Sequence, residues 1–234
     1  MSAALLLAAR PLVADDTPEQ ARQKAVKKAQ DALIAAAKQG DVGQIRAQLQ
    51  AGADVNARDG SQRTALLHAV RGGQLAAVRA LIEAGAGLDE RDPDGRSALM
   101  EAARRKEAMP ALDLVAAGAD VNVADKDGWT ALMFAAKEGT LAAARAIVRS
   151  PRQSSLDALA KETSALTLAA ERGRHALVRA LIEAGAGVRK PEIGGRALQL
   201  AAQEEHVDVV RTLMEAKAPL GFSGWENEPP LHAA

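Results

Sequence analysis

The sequence predicts an all-α solenoid, and two observations carry that prediction. The stretch Arg79 to Gly87 recurs unchanged as Arg179 to Gly187, with weaker copies between. A fixed period of roughly 20–50 residues marks chains built from stacked supersecondary units. Aromatic residues make up only 2% of the 234 residues, while Ala and Leu abound. A core poor in rings gains its burial from small side chains at close helix spacing, as stacked short helices do.

The first helix is predicted to start at Thr17. Thr17 can cap it, Pro18 suits the first turn, and Gln20 completes a capping box. Ala21, Ala25, Ala29, Leu33 and Ala36 or Ala37 then recur at helical spacing up to Gly40, and Lys24, Lys27 and Lys28 read as its solvated face. Anchor leucines follow at Leu33, Leu66, Leu99, Leu132, Leu166, Leu198 and Leu231, separated by 33, 33, 33, 34, 32 and 33 residues. Thr64, Ser97, Thr130 and Ser164 stand two residues before an anchor, where a hydroxyl satisfies free helix N–H groups. Ala102-Ala103, Ala135-Ala136, Ala169-Ala170 and Ala201-Ala202 mark close helix approach. Gly40, Gly73, Gly139 and Gly173 stand where a left-handed residue ends a helix, with Lys106 and Glu205 in that place in two copies. A second amphipathic helix carries Leu81-Ile82, Leu114-Val115, Ile147-Val148, Leu181-Ile182 and Leu213-Met214. Each unit closes on a turn such as Ala117-Gly118-Ala119-Asp120-Val121-Asn122.

This pattern resembles the ankyrin repeat: Gly-x-Thr-Ala-Leu, a small pair, Gly, a Leu-Leu-type pair, then Ala-Gly-Ala-Asp-Val-Asn, over about residues 26 to 234. Tetratricopeptide repeats share the period but need large aromatics and lack that turn. The resemblance implies helix-turn-helix units with loops protruding as hairpins. It divides the chain into a capping helix and first unit (15–58), five repeats (59–223) and an incomplete last repeat (224–234). The family's Pro before the anchor is replaced by Ala65, Ala98, Ala131, Ala165 and Ala197 and kept as Pro230. Its His after the anchor is kept only as His232, which predicts looser loops. Arg149 to Ser155 is polar, rich in breakers and one residue longer, and predicts an irregular finger.

Residues 1–14 form a short apolar run, Ala3 to Ala9, followed by Leu12-Val13-Ala14 before Asp15-Asp16. That resembles a truncated signal peptide cleaved after Ala14, although basic residues before the run are missing. A frayed apolar tail is the other reading. The first predicts a periplasmic or secreted protein, the second a cytoplasmic one. No Cys is present, which rules out disulfides and thiol chemistry but leaves the compartment open.

Chemistry is not predicted. His68, His175, His206 and His232 fall in four units at unlike positions, without ligand spacing, so neither metal nor cofactor is expected. Gly85-Ala86-Gly87 lacks the rest of a phosphate loop. Ser154, Ser155 and Asp157 have no histidine placed to activate a serine. The expected function is non-enzymatic recognition of a protein partner; an accessory protein that stabilises or inhibits a co-exported enzyme is the alternative.

The resemblance places recognition on a concave face of hairpin tips and first helices. The positions are Arg63, Arg96, Trp129 and Thr163, with Gly195 in the last copy. At the helix ends they are Arg71, Arg104, Arg105, Lys137, Glu138, Glu171, Arg172, Gln203 and Glu204. The row runs from basic to acidic, with Trp129 near the crossover, which suits a partner with an acidic patch. Lys+Arg and Asp+Glu balance at 30 each, against nucleic acid as partner. No run is long enough to insert in a membrane, and a monomer is expected.

Overall fold

The computed structural model describes residues 17–152 and 154–220. The apolar start (1–14), its Ala14 cleavage point, and the last partial repeat with Pro230, Leu231 and His232 lie outside them. Among the described residues, twelve α-helices form six antiparallel pairs: α1 (Pro18–Gln39) with α2 (Val42–Gln50), α3 (Ala65–Gly72) with α4 (Leu75–Glu83), α5 (Ala98–Ala103) with α6 (Met109–Ala116), α7 (Ala131–Glu138) with α8 (Leu141–Val148), α9 (Ala165–Glu171) with α10 (His175–Glu183), and α11 (Arg196–Gln203) with α12 (Val207–Glu215). The first helices pack in one row and the second helices in another. Isolated bridges Arg58↔Thr64, Arg91↔Ser97 and Ala124↔Thr130 close the protruding fingers, and no extended strand occurs among the described residues.

Local chemistry sets the helix starts. Thr17 and Gln20 form the capping box on α1, and Thr64, Ser97, Thr130 and Ser164 each accept the backbone N–H three residues on. Inside, Leu33, Leu66, Leu99, Leu132, Leu166 and Leu198 stack as one buried column, flanked by the alanine pairs that admit the next helix. The first turns of α1 depart from the predicted stripe. Ala21 and Ala25 are exposed, and burial begins at Ala29, toward the end of α1 that packs on α2 and α3.

Helix ends are latched to the next unit. Gln74 donates to the Lys38 carbonyl, and the His206 ring nitrogen lies 3.0 Å from the Glu171 carbonyl. The same side chains lie against Gly40 and Gly173, where a Cβ would collide with them. Arg105 does this for α3, donating to the Arg71 carbonyl at 2.7 Å and pairing with Glu107. Its guanidinium is therefore committed to a helix end rather than free in a basic row. At the glycine position of the last pair, Glu205 adopts φ 58°.

Two fingers are irregular. The fourth, predicted so, closes by Ala160↔Thr163 over a turn with Lys161 and Glu162 at positive φ. The fifth has no hairpin bridge: Pro191–Gly195 forms a π-helical turn that runs into α11. A Cβ on Gly194 would strike the Val188 carbonyl, so glycine permits this turn. Gly195, expected at the concave face, is buried in it.

Candidate functional site

Three aspartates organise the fingers. The Oδ1 atoms of Asp59, Asp92 and Asp125 accept the backbone N–H groups two and four residues on: Ser61 and Arg63, Asp94 and Arg96, Asp127 and Trp129, at 2.9–3.1 Å. Carboxylates with such donors hold a tight turn. The Oδ2 atoms face the preceding unit. Arg63 Nη2 lies 3.5 Å from Asp92, and Arg96 Nε 3.6 Å from Asp125. Asp92 and Asp125 are almost wholly buried, so each arginine is drawn into a ladder that ties one finger to the next. This ladder holds the fingers where the family's histidine is missing.

Asp59 lies in the first finger among the described residues, and takes Lys38 at 3.4 Å and the His68 Nε2 at 2.7 Å. Burial raises its pKa, but the Ser61 hydroxyl, the Arg63 amide and His68 outweigh that and hold it well below the usual carboxylate range. Burial also pushes His68 below its ordinary value, against the opposing bond to Asp59. Neutral His68 thus donates its Nε2 proton to Asp59.

The ladder changes character at Trp129. Its ring stacks, tilted by 37°, on Phe134 with centroids 5.1 Å apart. Lys137 Nζ stands 5.3 Å from the Trp129 centroid, and the Arg96 and Arg104 guanidinium carbons stand 5.9 and 5.6 Å from that of Phe134. Glu101, mostly buried, receives Arg104 at 3.3 Å and Arg96 at 3.9 Å. The result is an aromatic pair edged by cations whose charge is largely matched from beneath. Trp129 is half-buried, packed against the edge of the core.

The other expected residues fall around this cluster as follows. Arg71, Arg104, Lys137, Glu138, Arg172, Gln203 and Glu204 are exposed at helix ends. Thr163 is half-buried in the bridge of the fourth finger, and Glu171 is half-buried with its carbonyl engaged by His206. Arg63 and Arg96 are half-buried in the ladder, so the N-terminal half of the row is not a free basic patch. Asp92, Glu101, Asp125 and Phe134 went unnoticed in the sequence. The one available signal was the recurrence of Asp at 59, 92 and 125, at the same 33-residue spacing as the leucines.

A family model of ankyrin repeats, in three copies, matches residues 33–125, 107–188 and 152–223. The chain belongs to the ankyrin-repeat family. No curated protein matches it in a sequence comparison. Ankyrin repeats are in general protein–protein interaction modules, and the Trp129 cluster lies on the finger side of two such repeats. Among the described residues, no group of three or more His, Asp or Glu is arranged to hold a metal ion. Nor is any described helix long and apolar enough to cross a membrane.

Proposed function

We propose that this chain is a non-enzymatic recognition module that binds a protein partner through its fingers and first helices, centred on Trp129. One observation carries the reading. In a chain with only 2% aromatics, Phe134 is buried in the core and Trp129 packs on it at the core's edge, with part of its ring left accessible. Packing does not require a ring at position 129, since the equivalent residues of other units are Arg63, Arg96 and Thr163. A half-buried Trp ring steadied by neighbours is among the side chains enriched at interface hot spots. Exposed Arg104 and Lys137 beside it favour an acidic group on the partner, next to an apolar contact.

Affinity capture from the native source tests this. Wild type and a control variant on the outer helices, Arg145→Ala, should retain the same partner. Trp129→Ala should lose it through faster dissociation, and Arg104→Glu should slow association and weaken its salt dependence. Unchanged binding by both variants would remove the cluster from the interface.

A further inference from the structure

Three of the five large hydrophobics most exposed in the described chain sit on the last unit: Val207 at 65%, Met214 at 51% and Leu220 at 48%. Two of them occupy stacking positions. The residues equivalent to Val207 are Leu75, Leu141 and His175, and those equivalent to Met214 are Ile82, Val148 and Ile182; all are half-buried by a following unit. Val210 is half-buried, although its equivalents Val78, Ala144 and Val178 are almost wholly buried. Val207, Val210 and Met214 are spaced i, i+3, i+7, so they form one stripe on α12. On α11 the same face carries Gln199, where other units bury Leu67, Met100, Met133 or Thr167. Its Oε1 is buried without a hydrogen-bond partner.

We infer that this end of the stack is a self-association surface, on which a second copy of the chain packs tail to tail about a two-fold axis. The helical hairpin itself supplies the self-complementarity. An antiparallel pairing that sets Val207 against Met214 of the second copy puts the axis between residues 210 and 211. Because α11 and α12 run antiparallel about a turn centred on Glu205, an axis crossing both helices there meets α11 between residues 199 and 200. Gln199 then faces Gln199 of the second copy. A primary amide both donates and accepts, so two half-buried Gln199 side chains meeting at the axis can pair once they turn toward each other. Along the outer rim, Arg211 comes within a helical turn of Asp208 of the second copy, opposite in charge. An isologous interface needs this match of a patch with itself. The surface lies apart from the Trp129 cluster, so binding there and dimerisation are independent.

The cysteine-free full-length chain permits a direct test by analytical ultracentrifugation and site-specific oxidation. Wild type should show a concentration-dependent monomer–dimer equilibrium. Met214→Lys should weaken it by at least about tenfold, the effect of losing one buried apolar anchor. Gln199→Cys should oxidise to a disulfide-linked dimer, since only positions near a two-fold bring Cα atoms within bridging distance. Arg145→Cys, on α8 two units back from that end, should not do so efficiently. A wild-type chain that stays monomeric at high concentration overturns the proposal, whether residues 221–234 or nothing at all covers the face. So does a dimer that ignores Met214→Lys and leaves Gln199→Cys uncrosslinked, which would place the interface elsewhere.

Discussion

Removing the Asp125 carboxylate should loosen the finger that presents Trp129. Asp125 is 8% exposed, with Oδ1 bonded to the Asp127 and Trp129 amides at 3.0 and 2.9 Å and Oδ2 facing Arg96. Hydrogen bonds to a charged acceptor contribute about 1.5–3 kcal/mol each. Breaking a buried ion pair costs about 3–5 kcal/mol when the remaining charge is orphaned. Arg96 is not orphaned here, because Asp94 and Glu101 remain within 3.7 and 3.9 Å. Asp125→Ala should therefore cost about 3 kcal/mol in all, chiefly through the two amides. Asp125→Asn keeps an acceptor for both amides but turns an NH2 group or a weakened acceptor toward Arg96, and should cost about 1–2 kcal/mol. Urea unfolding followed by far-ultraviolet circular dichroism measures both. If Asp125→Ala cost less than about 0.5 kcal/mol, the scale of an ordinary surface change, the ladder would not be holding the finger.

Leu132, 1% exposed in the central unit, should cost about 2–5 kcal/mol on truncation to Ala, read from the same urea transition; an unmoved midpoint would contradict the repeat register. Glu205 holds φ 58° where four other units have glycine, so Glu205→Gly should raise the melting temperature, by roughly 1 kcal/mol of stability, the cost of a left-handed residue bearing a Cβ. His68 has a folded pKa below its ordinary 6.5, so the unfolded chain takes up its proton first as pH falls. Its contribution is complete above about pH 6.5 and is lost on acidification below it, so His68→Gln should flatten the fall of melting temperature between about pH 6.5 and 5. A slope unchanged by His68→Gln would assign that fall to other groups.

What the sequence made legible was whatever is written within one turn or one period. The caps at Thr64, Ser97, Thr130 and Ser164 act three residues away, and the anchor leucines repeat with the units that bury them. The arginine row was misjudged because its partners lie 29 residues further on: Arg63 meets Asp92, and Arg96 meets Asp125, only once neighbouring fingers are stacked. Charge summed along the chain hid that these cations are matched in the fold. The π-helical turn at Pro191–Gly195 was missed for a different reason. Gly194-Gly195 reads as loop, and the tight approach to Val188 that forces glycine there exists only in the folded turn.

The ladder and the aromatic pair are two parts of one arrangement. Down the fingers, Asp59, Asp92 and Asp125 are followed by Ala158-Leu159-Ala160, which has no carboxylate. An arginine at position 129 would therefore reach toward a finger with nothing to neutralise it, at the cost of an unpaired, partly buried charge. Trp129 stands there instead. The neighbouring helix position changes in step: His68 and Glu101, which serve the charged rungs, give way to Phe134 and then Leu168. Phe134 fills the space beside Trp129 and offers its face to Arg96 and Arg104 from the last charged rung. The face thus passes from internally matched charge to apolar surface within one repeat, and a partner meets no large unpaired field on the first side. On the proposed reading its gain comes at the junction, where a half-buried ring can be desolvated without stripping water from an unmatched ion. The proposed contact centred on Trp129 and rimmed by Arg104 and Lys137 would leave those pairs intact, whereas one spread along the arginines would have to break pairs the fold already holds.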